Sequence, residues 1–150
     1  MPLNSLWYRL EPAVPRRALY IAAALAWELA GLILAVRAFF WLRGLGSVAL
    51  AYAAPALLAG WAKGRWVFGR IAERNVTRIE ALSPHKARIC VFAFQALESY
   101  LLVLVMIGAG ILLRLSPLPR PLLAAIYLAI GSGLVLGSFR YWRAGIPKPD

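Results

Sequence analysis

Four apolar runs, at about residues 18–36, 48–66, 89–113 and 122–139, constrain this chain more than any other feature. A hydrocarbon core roughly 30 Å thick takes about 20 residues of helix to cross. Inside it every backbone amide and carbonyl must find a partner within the segment, which a single run achieves only as a helix. The expectation is an all-α membrane protein with four transmembrane helices. The connections at 44–47 and 114–121 are short, so the helices should form two antiparallel hairpins, and the first two helices should be neighbours.

Composition agrees: 62% of the residues are apolar and 15% charged, with a mean hydropathy of +0.70, against about 25% charged in a soluble domain. Arg16 and Arg17 precede an alanine-rich run as in a secretory signal, but the run continues past Glu28 to Trp41 and so reads as a retained helix. The chain then divides into a polar N-terminal segment at 1–17, a first hairpin at 18–66, a basic linker at 67–88, a second hairpin at 89–139 and a tail at 140–150. In the first of these, Leu3, Leu6, Trp7 and Leu10 have the spacing of a short interfacial amphipathic helix. Pro55 in the second run should kink its helix. With no breaker between Gly69 and Leu82, that helix should continue out of the bilayer until Ser83 and Pro84.

Orientation follows from the distribution of Lys and Arg. Three lie in the N-terminal segment, seven between Lys63 and Arg88 and three in the tail, thirteen in all on one side. Only Arg37, Arg43, Arg114 and Arg120 fall on the other. Cytoplasmic loops carry the positive excess, so both termini and the basic linker should be cytoplasmic, in the inner membrane of a bacterial-type cell. The net charge of +11 is spread over loops beside apolar runs, which points to anionic lipid headgroups as partners and away from nucleic acid. In the linker, Arg70, Arg74 and Arg78 recur every four residues and form one stripe, a candidate contact for anionic lipid or a protein partner.

Two acids lie inside the apolar runs. Counted from the start of their runs, Glu28 and Glu98 sit about ten residues deep, roughly 14 Å and near the midplane. An ionisable group there is costly and is by default a functional candidate. With Gln95 and Ser99 beside Glu98, and Tyr52, Tyr127 and Ser132 on other helices, they could form a proton or ion pathway. They could equally serve as neutral hydrogen-bonding glue between helices. Ala125, Ala129, Gly133 and Gly137 make a stripe of small residues at i+4 spacing, a helix-packing face within the bundle or toward a second copy or membrane partner. Offsets of 70 and 75 superpose Glu28 on Glu98, Tyr52 on Tyr127 and Arg65 on Arg140, which suggests a parallel duplication.

Enzyme chemistry has little to build on. His85 and Cys90 are each the sole residue of their kind, so no histidine-pair haem site or metal-ligand cluster forms within one chain, and no cofactor is expected. The expected role is structural, scaffolding or accessory and non-enzymatic. The alternative is a small proton-coupled transporter or channel using Glu28 and Glu98.

Overall fold

The computed structural model describes residues 13–82, 89–90 and 97–146, with side chains at 15–81, 101 and 104–146. The segment around Leu3, Leu6, Trp7 and Leu10, the 83–88 turn and Gln95 lie outside the described residues. The architecture is helical: α1 (Arg16–Leu42), a 3-10 turn (Arg43–Leu45), α2 (Val48–Lys63), a π-helical turn (Gly64–Phe68), α3 (Gly69–Leu82), α4 (Leu97–Leu115) and α5 (Arg120–Gly145). A two-residue antiparallel pairing of Ala13–Val14 (β1) with Ile89–Cys90 (β2) is the exception. Among the described residues two stretches are long and apolar enough to cross a membrane, Arg16–Leu45 and Arg120–Gly145.

The ends of these helices have local causes. Pro15, extended at φ −63° and ψ 150°, leads into α1, and Pro119 does the same for α5, whose second residue is Pro121; a missing N–H costs nothing in a first turn. The first connection closes on Gly46 at φ +57°, a conformation glycine adopts without strain. Ile89 and Cys90 are paired as extended chain, so the third helix does not begin at 89 as its hydropathy suggests. Its described start is Leu97, in keeping with the β preference of the Ile89–Val91 sequence.

The central element is α5. It packs on α1, on α2, on the π turn and on α3. Its run against α1 is antiparallel: Tyr20 lies by Gly145, Trp27 by Gly137 and Gly31 by Gly131. Along α2 it runs parallel, with Gly60 beside Ala129 and Ser132, and Gly64 beside Gly133. The first two helices, expected to be neighbours, instead flank α5 and converge only at their turn. There Ala38 and Leu42 share a cluster with Ala124 and Tyr127, against which Ala49 and Tyr52 pack. The reason lies in side-chain size. A Cβ on Gly31 would stand 2.6 Å from the Gly131 carbonyl oxygen, and one on Gly131 2.6 Å from that of Gly31, a close backbone approach that small residues permit.

The second helix carries a π turn at 64–68, and Pro55 sits inside α2. Ala56, Gly60, Gly64, Phe68 and Ala72 are all buried. A face repeating every four residues outruns a 3.6-residue turn by about 40° per step, and the wider π turn absorbs part of the drift. The buried face then continues through Asn75 and Ile79, which holds α3 against α1 and α5.

On α4, by contrast, Leu101, Leu104, Val105, Ile107, Ile111 and Leu112 are exposed. Its described link to the bundle is at Tyr127, whose hydroxyl accepts from Arg114 Nε at 2.9 Å and donates to the Gly110 carbonyl at 3.4 Å. Among the described residues nothing between α4 and α2 mirrors the packing of α1 on α5, so the suggested duplication is not reflected in a two-fold arrangement there.

Candidate functional site

Two groups of polar and aromatic residues lie toward opposite ends of the bundle. At one end α1, α3 and α5 meet around Trp27. Its ring stands edge-on to Phe68 (centroids 6.0 Å apart, planes at 85°) and to Tyr141 (5.4 Å, 72°), and Ala23, Ala24 and Ala72 complete the cluster. A polar collar surrounds it. Asn75, 2% exposed, donates from Nδ2 to the Tyr141 hydroxyl at 2.8 Å. Trp142 Nε1 donates to Glu28 Oε2 at 3.3 Å, and Arg140 forms an ion pair with Glu73.

The buried amide has a measurable consequence. Tyr141→Phe removes the hydroxyl that Asn75 donates to, and an unsatisfied buried donor costs about 1–3 kcal/mol. We expect a loss of that order in reversible denaturation. Asn75→Leu combined with Tyr141→Phe should recover part of it, because the double variant leaves no orphaned polar atom.

Glu28 falls within the apolar stretch Arg16–Leu45 and is drawn to one end of the bundle by its partner. It is level with Trp142, between Arg140 and Arg143, because the first three turns of α1 run beside α3, where Leu19 and Tyr20 pack on Ile79. Hydropathy alone cannot separate an alanine-rich stretch covered by another helix from one covered by lipid. Glu98 is the second residue of the described α4 and Ser99 the third; the side chains of both, like Gln95, lie outside the description.

Tyr52 and Tyr127 occupy the opposite end. There Tyr127 meets Trp41 (5.2 Å) and Arg114, Arg37 lies over the Trp41 ring at 5.2 Å, and Tyr52 packs against the same cluster. From Tyr127 to Trp142 is fifteen residues of α5, about 22 Å along the axis. Ser132, between them, donates to the Leu128 carbonyl of its own helix at 2.7 Å. The two tyrosines are thus brought together, and Glu28 is kept apart from both.

Of the small-residue stripe, Ala129, Gly133 and Gly137 are buried and Ala125 is half-buried. Gly133 faces the Phe68 ring, and Gly137 faces both Trp27 and Phe68. On α3, Arg70, Arg74 and Arg78 are all exposed, on the side away from Ala72 and Ile79. Arg70, Glu73, Arg74 and Thr77 line a shallow open depression there, with the Thr77 hydroxyl donating back to the Glu73 carbonyl at 2.9 Å.

The residues that sequence reasoning missed are Trp27, Asn75 and the collar role of Tyr141 and Trp142. Their signal was present: Phe68, Ala72, Asn75 and Ile79 recur at helical spacing opposite the arginines. Among the described residues no cluster of His, Cys, Asp and Glu could hold a metal ion. Comparison with known proteins gives no matching family model, curated protein or solved structure.

Proposed function

We propose that this chain is a four-helix integral membrane scaffold that holds a basic helix rigidly upright at the cytoplasmic face. In this reading α1, α2, α4 and α5 cross the membrane, and residues before α1 and after α5 are cytoplasmic with α3. The observation that carries it is the clamping of α3, by Asn75 to Tyr141, by Glu73 to Arg140 and by Ile79 to Leu19 and Tyr20. A loop that merely connected two hairpins would need none of these. The excess of Lys and Arg supports the orientation. The exposed Trp61 and Trp66, with Lys63 and Arg65, suit an interfacial belt at the end of α2.

Amide hydrogen exchange of the full chain in lipid nanodiscs tests the clamp. Residues 69–82 should be protected to within about tenfold of the mid-region of α5. Exchange of 69–82 at the rate of an unstructured peptide would sink the scaffold reading.

The competing reading is a proton path through Glu28 and Glu98. It requires Glu28 to communicate with polar groups deeper in the bundle, whereas its described partner is Trp142 at the same end. Liposomes containing the protein should take up protons no faster than empty ones under an imposed gradient. Uptake above that level, lost in Glu28→Gln, would favour the transporter.

A further inference from the structure

The stripe on α3 was open to two kinds of anionic partner, and its height above the membrane separates them. On the scaffold reading, Lys63, Arg65 and Trp66 mark the bilayer boundary near the end of α2. Arg70, Arg74 and Arg78 are seven, eleven and fifteen residues beyond Lys63, or about 10, 16 and 22 Å along a continuing helix. The helix does continue alongside its neighbours, because Ile79 packs on Leu19 and Tyr20, and Tyr20 in turn lies 3.6 Å from the Cβ position of Gly145. A headgroup layer is only about 5–8 Å deep per leaflet, and the surface potential decays over about 8 Å at physiological salt. With the boundary so placed, Arg70 can reach phosphates and Arg78 stands beyond them.

We propose, resting on the scaffold reading above, that the exposed face of α3 docks an acidic helix of a soluble protein, its carboxylates spaced one turn apart to meet Arg70, Arg74 and Arg78. The three guanidinium groups rise about 6 Å per step, the spacing at which a second helix presents Asp or Glu at i, i+4 and i+8. Like charges so arranged on one helix repel, and a complementary partner relieves that cost. Arginine suits the task because its planar fork takes a carboxylate through two hydrogen bonds.

The surroundings select for a protein. Glu73 and Glu80 are exposed beside the stripe, and Glu73 is paired with Arg140. A continuous polyanion such as nucleic acid would be repelled at Glu80, whereas an acidic helix flanked by Lys or Arg would pair with it. Charge patterns of this mixed kind set partner choice and register.

The test uses the full chain in nanodiscs of zwitterionic phosphatidylcholine. The probe is a fluorescein-labelled helical peptide with Glu at every fourth position on one face and Lys beside it, followed by fluorescence anisotropy. Each exposed pair is worth a few-fold, so Arg78→Gln should weaken binding about threefold, and the triple Gln variant of Arg70, Arg74 and Arg78 by more than about tenfold. Raising salt should weaken the wild-type protein more than the triple variant. Equal affinity for a scrambled peptide of the same composition would overturn the proposal, as would an unchanged triple variant. So would displacement of the peptide by oligo-dT at lower concentration than by unlabelled peptide, or loss of binding in anionic phosphatidylglycerol nanodiscs with no effect of Arg78→Gln, which would assign the stripe to lipid.

A dye at Ala81→Cys on a Cys90→Ser background separates the two levels of the argument. Quenching by aqueous iodide with no peptide binding defeats the docking proposal alone. Quenching by lipid-borne nitroxide would place α3 in the bilayer and defeat the scaffold reading with it.

Discussion

Trp27→Ala should be the most damaging single substitution in the described chain. The indole lies between α1, the π turn and the end of α5, edge-on to Phe68 and Tyr141 and against Gly137. Deleting a buried tryptophan typically costs about 3–5 kcal/mol, through lost burial and the cavity left behind. The melting temperature should fall by roughly 6–20 °C at the 2–4 °C per kcal/mol usual for a chain of this size. The damage should also be local in a particular way. Because Trp27 links α1 to the segment that leads into α3, amide exchange at 69–82 should accelerate more than exchange around Gly131. Trp27→Phe keeps an aromatic ring against Tyr141 and should retain most of the stability. A melting temperature unchanged by Trp27→Ala would mean that the cluster does not join these helices.

Gly131→Leu is the second large effect, and its mechanism is the opposite one. The side chain would be forced against the Gly31 carbonyl, 2.6 Å from the Cβ position, and against backbone of Ala35 at 3.2 Å. Backbone cannot rotate aside as a flexible side chain can, so α1 and α5 must separate along the run they share. Overpacking costs about 1–3 kcal/mol where neighbours can shift and more where they cannot; we expect the upper end, about 3 kcal/mol or more. Gly108→Leu on α4 is the control. Nothing lies within 4 Å of its Cβ position, so the change should stay within about 1 kcal/mol, the intrinsic preference of helix for residues other than glycine included. Equal losses in the two variants would show that helix propensity, and not the Gly31–Gly131 approach, governs the first.

The sequence is informative about elements and less so about neighbours. The tight connection at 44–47 and the continuation of the second helix to Leu82 depend on residues adjacent in the chain, and they appear where Gly46 and Leu82 place them. That α5 separates α1 from α2 depends on which glycines face one another, and a count of connection lengths cannot show it. Gly31 stands in an alanine- and leucine-rich run, and its partner Gly131 is a hundred positions away. What surrounds Glu28 was hidden for a related reason. Leu19, Tyr20, Ala23 and Ala24 are as apolar as membrane-facing residues, but what covers them is α3, α5 and the Trp27 cluster.

The arginine stripe drew notice to the outside of α3, while the opposite face carries the packing. Asn75 within Phe68, Ala72 and Ile79 is the residue whose meaning needed coordinates. A polar side chain in an apolar stripe signals a specific partner, but only the fold identifies it as Tyr141.

The central claim is that the described bundle stands in a membrane with α3 projecting on the side of the basic excess. Single cysteines at Ser47, Arg78, Ser116 and Arg143, each on a Cys90→Ser background, test it most directly when probed with a membrane-impermeant maleimide in sealed vesicles of known orientation. The account predicts that Arg78→Cys and Arg143→Cys label from the cytoplasmic side and Ser47→Cys and Ser116→Cys from the opposite one. Labelling of Ser47→Cys and Arg78→Cys from the same side would contradict it, because α2 could not then cross the bilayer.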